Sequence, residues 1–458
     1  MPADKRLLLV NPWIADFTAY DLWARPMGLL ETAGRLRAHR GIALDFLDCL
    51  NMAHPSIPEA FRKKRSDGTG KIFGWGIAKP KALQGLRIPR AFIMYGISEE
   101  AFAGELERRP RPDTVLMTLG MTYQYPGVQR IIRLIRERWG GVPILLGGIY
   151  ATLCPEHARR HSGADIVLPG PAGASLEMAL KELLGIELHL DGSHLLAYDL
   201  LADTSSFPFP TTRGCPYRCT YCASHLLQSR FIRRPVEECL EELKCIRRSF
   251  PTRHLAFYDD ALLLDADRHA KPLFEGIIRE NFGFTFHTPN GLHVREIDAE
   301  LAWLMRKANV KTIRLSVETT SARLLKQTGS DHKTGDLAKA VEHLENAGYK
   351  RSELDSYLLI GIPGQKREEI EESLKNVASL GIRSHFSYFS PIPGTALWKK
   401  MAASGLVRDD DDPLLHNKVL FPYRRWSISP EELVQLKELQ NSLNGVKPKG
   451  LLDDTLGM

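Results

Sequence analysis

Short apolar runs and helix-spaced segments take turns along this chain, and they do so in two series. Residues 5–10 (KRLLLV) form an apolar run closed by Asn11-Pro12, the pattern of a buried strand. Residues 28–40 set Leu29, Leu30, Ala33 and Leu36 at helical spacing, and Gly41 stops them. Further strands are predicted at 42–47, 113–119, 143–146 and 165–168, with helices at 128–139 and 175–184. Residues 51–110, broken by Pro, Gly and basic residues, read as an insertion with some helix near its end. Alternation of this kind predicts a doubly wound parallel sheet over 1–185, because parallel neighbours need a crossover between them. Ligands of such sheets sit at the carboxyl ends of the strands. The Gly-rich ends, Thr118 to Gly120 and Gly147-Gly148, are candidate contact points, with a plain tight turn as the competing reading.

Residues 186–207 read as a linker, and the alternation then resumes on a longer beat. Strands are expected at about 208–212, 254–258, 284–287, 312–317, 353–360 and 385–389, with helices such as 236–250, 299–307, 335–347 and 367–380 between them. Six strand–helix units over 208–400 predict a partial (β/α)6 barrel, open on one side, with its active site at the carboxyl ends of the strands. Residues 401–458 form a short C-terminal extension whose helix, 430–443, is expected to pack on the barrel.

Bulk properties exclude several classes. The net charge of +6 on 458 residues is too mild to argue for nucleic acid. The densest basic run, Arg62 to Arg65, reads as a solvated loop. No apolar run approaches the ~18 residues of a membrane span. The opening MPADKRLLLVNPW has too short an apolar core for a secretion signal. Seven cysteines, an odd number and mostly far apart, are not a disulfide framework, so a reducing cytoplasm is expected. Cys239 reads as a core thiol, and Cys245 has no ligand spacing to any other residue.

Chemistry concentrates in RGCPYRCTYCASH (213–225), where Cys215, Cys219 and Cys222 crowd into one loop after the first barrel strand. Thiolates suit zinc or iron–sulfur clusters. Three readings compete: a zinc Cys3His site with His225, a redox Cys219–Cys222 pair, and a [4Fe–4S] cube held at three corners with the fourth iron open.

The C-x3-C-x2-C spacing, with Tyr221 before the last cysteine, resembles the signature of the radical S-adenosylmethionine (SAM) superfamily. The resemblance implies a [4Fe–4S] cluster on these cysteines, with SAM on the open iron and Tyr221 near its adenine. It further implies reductive cleavage of SAM to a 5′-deoxyadenosyl radical, and an electron donor such as flavodoxin or ferredoxin. Later segments match the family in order. AFYDDALLLD (256–265) stands at the motif that binds the SAM amino group, which points to Tyr258, Asp259 and Asp260; one of the two carboxylates is expected to cap a turn instead. TFHTPNGLHV (285–294) supplies Asn290 at the third strand end. RLSVETTSARLLKQTG (314–329) puts Glu318 at the position that binds the ribose. LLIGIPGQKREEI (358–370) sets Ile360 and Gly361 near the adenine, and FSPIPGTALWKK (389–400) adds Pro393.

The first domain resembles the cobalamin-binding class of this superfamily. LLLVNPW, GLLETAGRLRAHRG, RPDTVLMTLGMT and ILLGGIYATLCPEHA follow the class pattern. ADIVLPGPAGASL departs from it, because Pro171 and small residues replace the usual glutamates. No Asp-x-His-x-x-Gly is present, so no histidine ligand to cobalt is implied by that motif. The class implies cobalamin contacts at Thr118, Gly120, Gly147, Gly148 and Tyr150, and methyl transfer to an unactivated carbon of a small-molecule or peptide substrate. The alternatives are radical rearrangement, cyclisation or oxidation without methyl transfer, or a non-catalytic zinc protein. A second cluster of the methylthiotransferase kind is disfavoured, since only Cys49 and Cys154 precede the motif. No residue is assigned a catalytic role of its own.

Overall fold

The computed structural model describes residues 4–190, 195–330, 333, 335–424 and 426–446. The chain divides into two units, Met1–Thr204 with Asp410–His416, and Ser205–Asp409 with Asn417–Leu456.

The first unit contains β1 (Lys5–Asn11), β2 (Ile14–Asp16), β3 (Ile42–Asp48), β4 (Gly74–Ile77), β5 (Phe92–Tyr95), β6 (Thr114–Leu119), β7 (Ile144–Gly147) and β8 (Ile166–Val167). Its main sheet runs β3-β1-β6-β7-β8 with every pairing parallel. Leu7, Leu8, Leu9 and Val10 are all buried, because β1 is an inner strand of a sheet covered on both faces. Helix Met27–Leu36 buries Leu29, Leu30, Ala33 and Leu36, as its spacing requires, and all of these but Leu30 join Leu7, Leu9, Leu116 and Leu145 in one core. Each such leucine contributes about 1.5–3 kcal/mol by leaving water. Helix Tyr125–Trp139 turns Val128, Ile131, Ile132 and Ile135 inward.

Two features lie outside the sequence expectations. The segment read as an insertion contributes β4 and β5, which pair with β2 in a separate antiparallel sheet, β2-β5-β4. Trp13, wholly buried, anchors that sheet against Trp75 and Phe102, with ring centroids 5.9 and 5.1 Å away. The C-terminal tail, moreover, is not one extension. Asp412 accepts the Tyr125 hydroxyl at 2.9 and 3.0 Å, and His416 Nδ1 lies 3.2 Å from Thr122 Oγ1, so this short stretch belongs to the first unit.

The second unit contains β9 (Ser206–Pro208), β10 (Thr212–Arg213), β11 (Ile232–Arg233), β12 (His254–Ala256), β13 (Thr285–His287), β14 (Leu292–His293), β15 (Val310–Glu318), β16 (Leu354–Ile360) and β17 (Arg383–Tyr388). The main path β9-β12-β13-β15-β16-β17 follows chain order and is parallel throughout, with β14 beside β15. Among the described residues no pairing joins β9 to β17, so the barrel is partial and open. The first strand ends at Pro208 rather than Thr212, because Thr212 and Arg213 pair antiparallel with Arg233 and Ile232. That ribbon closes the base of the cysteine loop. Helix Pro430–Leu443 packs on helix Arg367–Ser379 and covers the β17 edge, where the Ser384 carbonyl accepts bonds from Gln440 and Asn444.

Candidate functional site

The cysteine loop leaves β10 through Gly214, which sits at φ +72; a Cβ there would come within 2.7 Å of the Arg230 carbonyl, so only glycine allows the turn. Cys215, Cys219 and Cys222 are partly exposed free thiols. Burial pushes Cys215 up to about 11, and burial with the Glu318 carboxylate pushes Cys219 up to about 12. Such thiols hold their protons until a cation displaces them, and metal binding then releases those protons. Among the described residues no three His, Cys, Asp or Glu side chains meet around a point that one ion would share. A cube makes no such demand, since each thiolate takes a different corner. The donor set of three soft ligands on one loop therefore fits a cluster.

Loop and barrel are tied together at several points. The Thr220 N–H donates to the Thr328 carbonyl at 2.8 Å, its hydroxyl donates to the Gln327 carbonyl, and its own carbonyl accepts from Leu397 N. The Tyr221 hydroxyl donates to Glu318 Oε1. Glu318 ends β15 at φ +61, after a register shift beside Ser316. A left-handed glutamate costs of order 1–3 kcal/mol, and such outliers cluster where a side chain must be aimed. A small pocket here is lined by Tyr217, Cys219, His293, Ser316, Glu318 and Ser330.

The sequence-predicted SAM residues divide into two groups. Asp260 is exposed beside the loop and bonds Ser224, whose hydroxyl lies 3.3 Å from Cys222 Sγ. Asn290 donates to the carbonyls of Tyr258 and Asp259, at 3.0 and 3.4 Å, and so joins the ends of β12 and β13. Pro393 is partly exposed. Asp259 is turned to internal work instead. Its Oδ1 accepts from the Thr211 N–H and hydroxyl and from the Thr212 N–H, which fixes the entry to the cysteine loop. Burial pushes its carboxyl up to about 6 against the pull of those bonds. Ile360 is also buried, at 1% exposure, and its carbonyl accepts from Phe389. Gly361 sits at φ +92 beneath Phe421, whose ring a Cβ would meet at 2.5 Å, and its carbonyl accepts from Trp426. Packing alone accounts for that glycine.

Sequence reasoning missed Tyr217, whose ring lies 4.5 Å from His293 and under Arg295, and whose hydroxyl donates to Glu296 at 2.9 Å. It also missed Ser316, although the period-two pattern Arg314, Ser316, Glu318 puts these residues on one strand face.

In the first unit, Thr118 is paired in register with Gly147, and Leu119 bridges to Gly148. Gly148 is required by packing, at φ +85 with Leu119 backbone atoms 2.9 Å from its would-be Cβ. Gly120 and Gly147 are different. Neither has a positive φ, and a Cβ would meet nothing within 4 Å at Gly120 and only the Leu168 carbonyl, at 3.7 Å, at Gly147. Nothing internal demands glycine at either place, which leaves an open, backbone-lined edge that fits the approach of a broad cofactor. Tyr150 corrects the sequence expectation. It is wholly buried, stacks 5.7 Å from Tyr125 and bonds His157 Nδ1 at 2.6 Å, so it supports this edge from below. Among the described residues no helix is long and apolar enough to cross a membrane.

Comparison with known proteins agrees with this division. The radical SAM superfamily model matches residues 209–377, and the B12 binding domain model matches residues 85–179. An uncharacterized methyltransferase of Pyrococcus horikoshii is 26% identical over 355 residues, 69% of this chain and 75% of that protein. The cytidylyl-2-hydroxyethylphosphonate methyltransferase of Streptomyces wedmorensis is 27% identical over 216 residues, 44% of this chain and only 38% of its own length. The radical SAM methyltransferase TsrM from Kitasatospora setae, solved with cobalamin and a [4Fe–4S] cluster, superposes with a TM-score of 0.67 at 15% identity, covering 95% of this chain and 91% of that one. OxsB, a cobalamin-dependent SAM radical enzyme, superposes at 0.57 and 14% identity over 99% of this chain and 63% of that one. At such identities the superpositions speak for the fold. With both models matched on one chain, the protein carries a B12-binding domain followed by a radical SAM domain that coincides with its barrel.

Proposed function

We propose that this enzyme transfers a methyl group from SAM to an unactivated carbon of a small-molecule or peptide substrate, with cobalamin as the carrier. The observation that carries the reading is that one chain joins a B12-binding domain to a radical SAM barrel. When bound, the cluster and SAM supply a radical that removes a substrate hydrogen, and the corrin supplies the methyl group.

The chain's own residues do the positioning. Cys215, Cys219 and Cys222 would hold the cluster and leave one of its irons for SAM. Glu318, aimed by its left-handed backbone and by Tyr221, accepts the ribose hydroxyls. Asp260 and the Tyr258 carbonyl accept the SAM ammonium, Asn290 keeps the two strand ends in step, and Pro393 lies against the adenine. Asp259 acts one step back, by holding Thr211 and Thr212 where the loop begins. On the first unit, Thr118, Gly120, Gly147 and Gly148 present backbone to the corrin and its tail, with Tyr150 beneath them. The electron comes from a reduced flavodoxin or ferredoxin. The seven free thiols suit a reducing cytoplasm, where such donors work.

The test is anaerobic reconstitution followed by metal and corrin analysis. The expected result is one [4Fe–4S] cluster and one cobalamin per chain, with 5′-deoxyadenosine released from SAM under a reductant. Retention of zinc alone, or deoxyadenosine formation with no cobalamin retained, overturns the methyl-transfer reading.

A further inference from the structure

The barrel's inner face carries a charged cluster that neither cofactor uses. Along β15 the residues alternate between wholly buried Ile313, Leu315 and Val317, packed toward the helices, and partly exposed Thr312, Arg314, Ser316 and Glu318. Glu318 and Ser316 line the cysteine-loop pocket, so this second face is the lumen. The parallel register carries the lumen face across to the neighbouring strands. Ser316 is level with Tyr357 and Tyr357 with His385; Arg314 is level with Asp355 and Asp355 with Arg383. On β16 the opposite face, Leu354, Ser356, Leu358 and Ile360, is fully packed.

Three basic side chains therefore surround one carboxylate. Arg383 Nε lies 2.9 Å from Asp355 Oδ1, His385 Nε2 lies 3.1 Å from the same oxygen, and Arg314 Nε lies 3.7 Å from Oδ2. An ion pair built for stability alone needs one partner per charge. Here two guanidiniums face one carboxylate, which leaves an excess of one positive charge before His385 is counted. That excess is reachable through Arg383, which is 46% exposed while Asp355 is 9% exposed; the Nε2 of His385 is buried against the carboxylate, although the rest of that ring is open. Among the described residues nothing else bonds the Arg383 guanidinium, whose terminal amino groups form the flat fork that grips carboxylate or phosphate. The Arg314 side chain is held in place by the Tyr357 ring, 5.5 Å away, and Tyr357 is pinned in turn to the Pro289 carbonyl. Burial works to raise the Asp355 pKa, but the three bases outweigh it and hold the carboxyl below its ordinary value, so Asp355 stays charged and orients them.

We infer that the substrate carries an anionic group, a carboxylate or a phosphate, which docks on Arg383, His385 and Arg314 inside the barrel. The inference rests on the reading of Glu318 as a SAM contact, because that fixes where the reacting carbon lies. At about 3.3 Å of rise per residue, the cluster sits roughly 7–13 Å below Glu318 along the strands. The substrate thus reaches from the barrel mouth down to the starts of β16 and β17, with its anionic end down and its reacting carbon up.

The probes are inorganic phosphate and acetate, titrated calorimetrically into the holoenzyme at ionic strength held constant with chloride. One of the two should bind saturably, and the one that binds more tightly tells phosphate from carboxylate. Arg383→Met should weaken that anion roughly tenfold. Asp355→Asn, which removes the competing negative charge, should tighten it roughly threefold. The opposite signs separate an anion site from general loss of structure, which would weaken both variants. Binding that is absent, or that is equal in wild type and both variants, overturns the inference. Deoxyadenosine formation by the wild-type enzyme is measured separately, so its absence falls on the proposed function while the anion titrations are read on their own.

Discussion

The two parallel sheets end in opposite kinds of surface. At the ends of β6 and β7 the first unit offers glycines and one threonine, and beneath them Tyr150 bonds His157 while Tyr125 packs on both rings and bonds Asp412. At the mouth of the second unit stand three partly exposed thiols and an exposed aspartate, with a strained glutamate turned into the pocket beside them. One site is made by leaving side chains out, the other by putting specific ones in. A corrin with a broad face needs room and backbone groups. A cluster and a sulfonium cofactor need particular donors at particular corners. The same architecture, parallel strands with open carboxyl ends, can be adapted to either need.

The largest expected effect separates the two surfaces outright. Cys219→Ala should abolish deoxyadenosine formation and the iron–sulfur absorbance while cobalamin content stays at the wild-type level. Loss of cobalamin together with the cluster would break the contrast. Glu318→Ala should come next, weakening SAM binding roughly 10- to 100-fold by removing a charged acceptor, with Tyr221→Phe smaller in the same direction. Equilibrium binding of SAM to the reconstituted protein measures both. The glycines sharpen the first site. Gly148→Ala should destabilise the protein by more than about 1 kcal/mol, since its φ is +85 and its Cβ would meet Leu119. Gly120→Ala should leave the melting temperature nearly unchanged and weaken cobalamin retention. Equal destabilisation by the two would mean that Gly120 is a packing glycine after all.

The smallest effect concerns acid. Burial pushes His157 down to about 4 from 6.5, against the pull of Asp412. The folded state then binds fewer protons than the unfolded one between those values, so stability falls as pH drops from about 6.5 toward 4. His157→Gln should flatten that part of the pH–melting curve; an unchanged slope would assign it to other groups.

What the sequence made legible follows from local signals. Helix Pro430–Leu443 and helix Ala299–Lys307 begin and end where caps and apolar spacing put them, with Ser429 and Asp298 accepting N-terminal amides. The cysteine spacing is itself local, so the loop stood out at once. Long-range pairings left no such mark. Nothing near Gly74–Ile77 announces that it will pair with Phe92–Tyr95 and, through it, with Ile14–Asp16. Asp412 lies in a polar tail and finds Tyr125 only in the folded chain. For the site, sequence position alone could not tell Asp259, which braces Thr211 and Thr212, from its exposed neighbour Asp260. Nor could it tell Gly361, fixed under Phe421, from Gly120, which nothing inside requires. The glycine pattern is the same in both cases, and only the surroundings differ.

The central claim is that the two surfaces serve one reaction. The direct measurement is anaerobic turnover with SAM labelled as CD3 on its methyl group, cobalamin, a reductant and candidate anionic substrates, read by mass spectrometry. The account predicts a substrate that has exchanged one hydrogen for one CD3 group, with 5′-deoxyadenosine and S-adenosylhomocysteine formed in equal amounts. Deoxyadenosine with neither labelled product nor S-adenosylhomocysteine would contradict it.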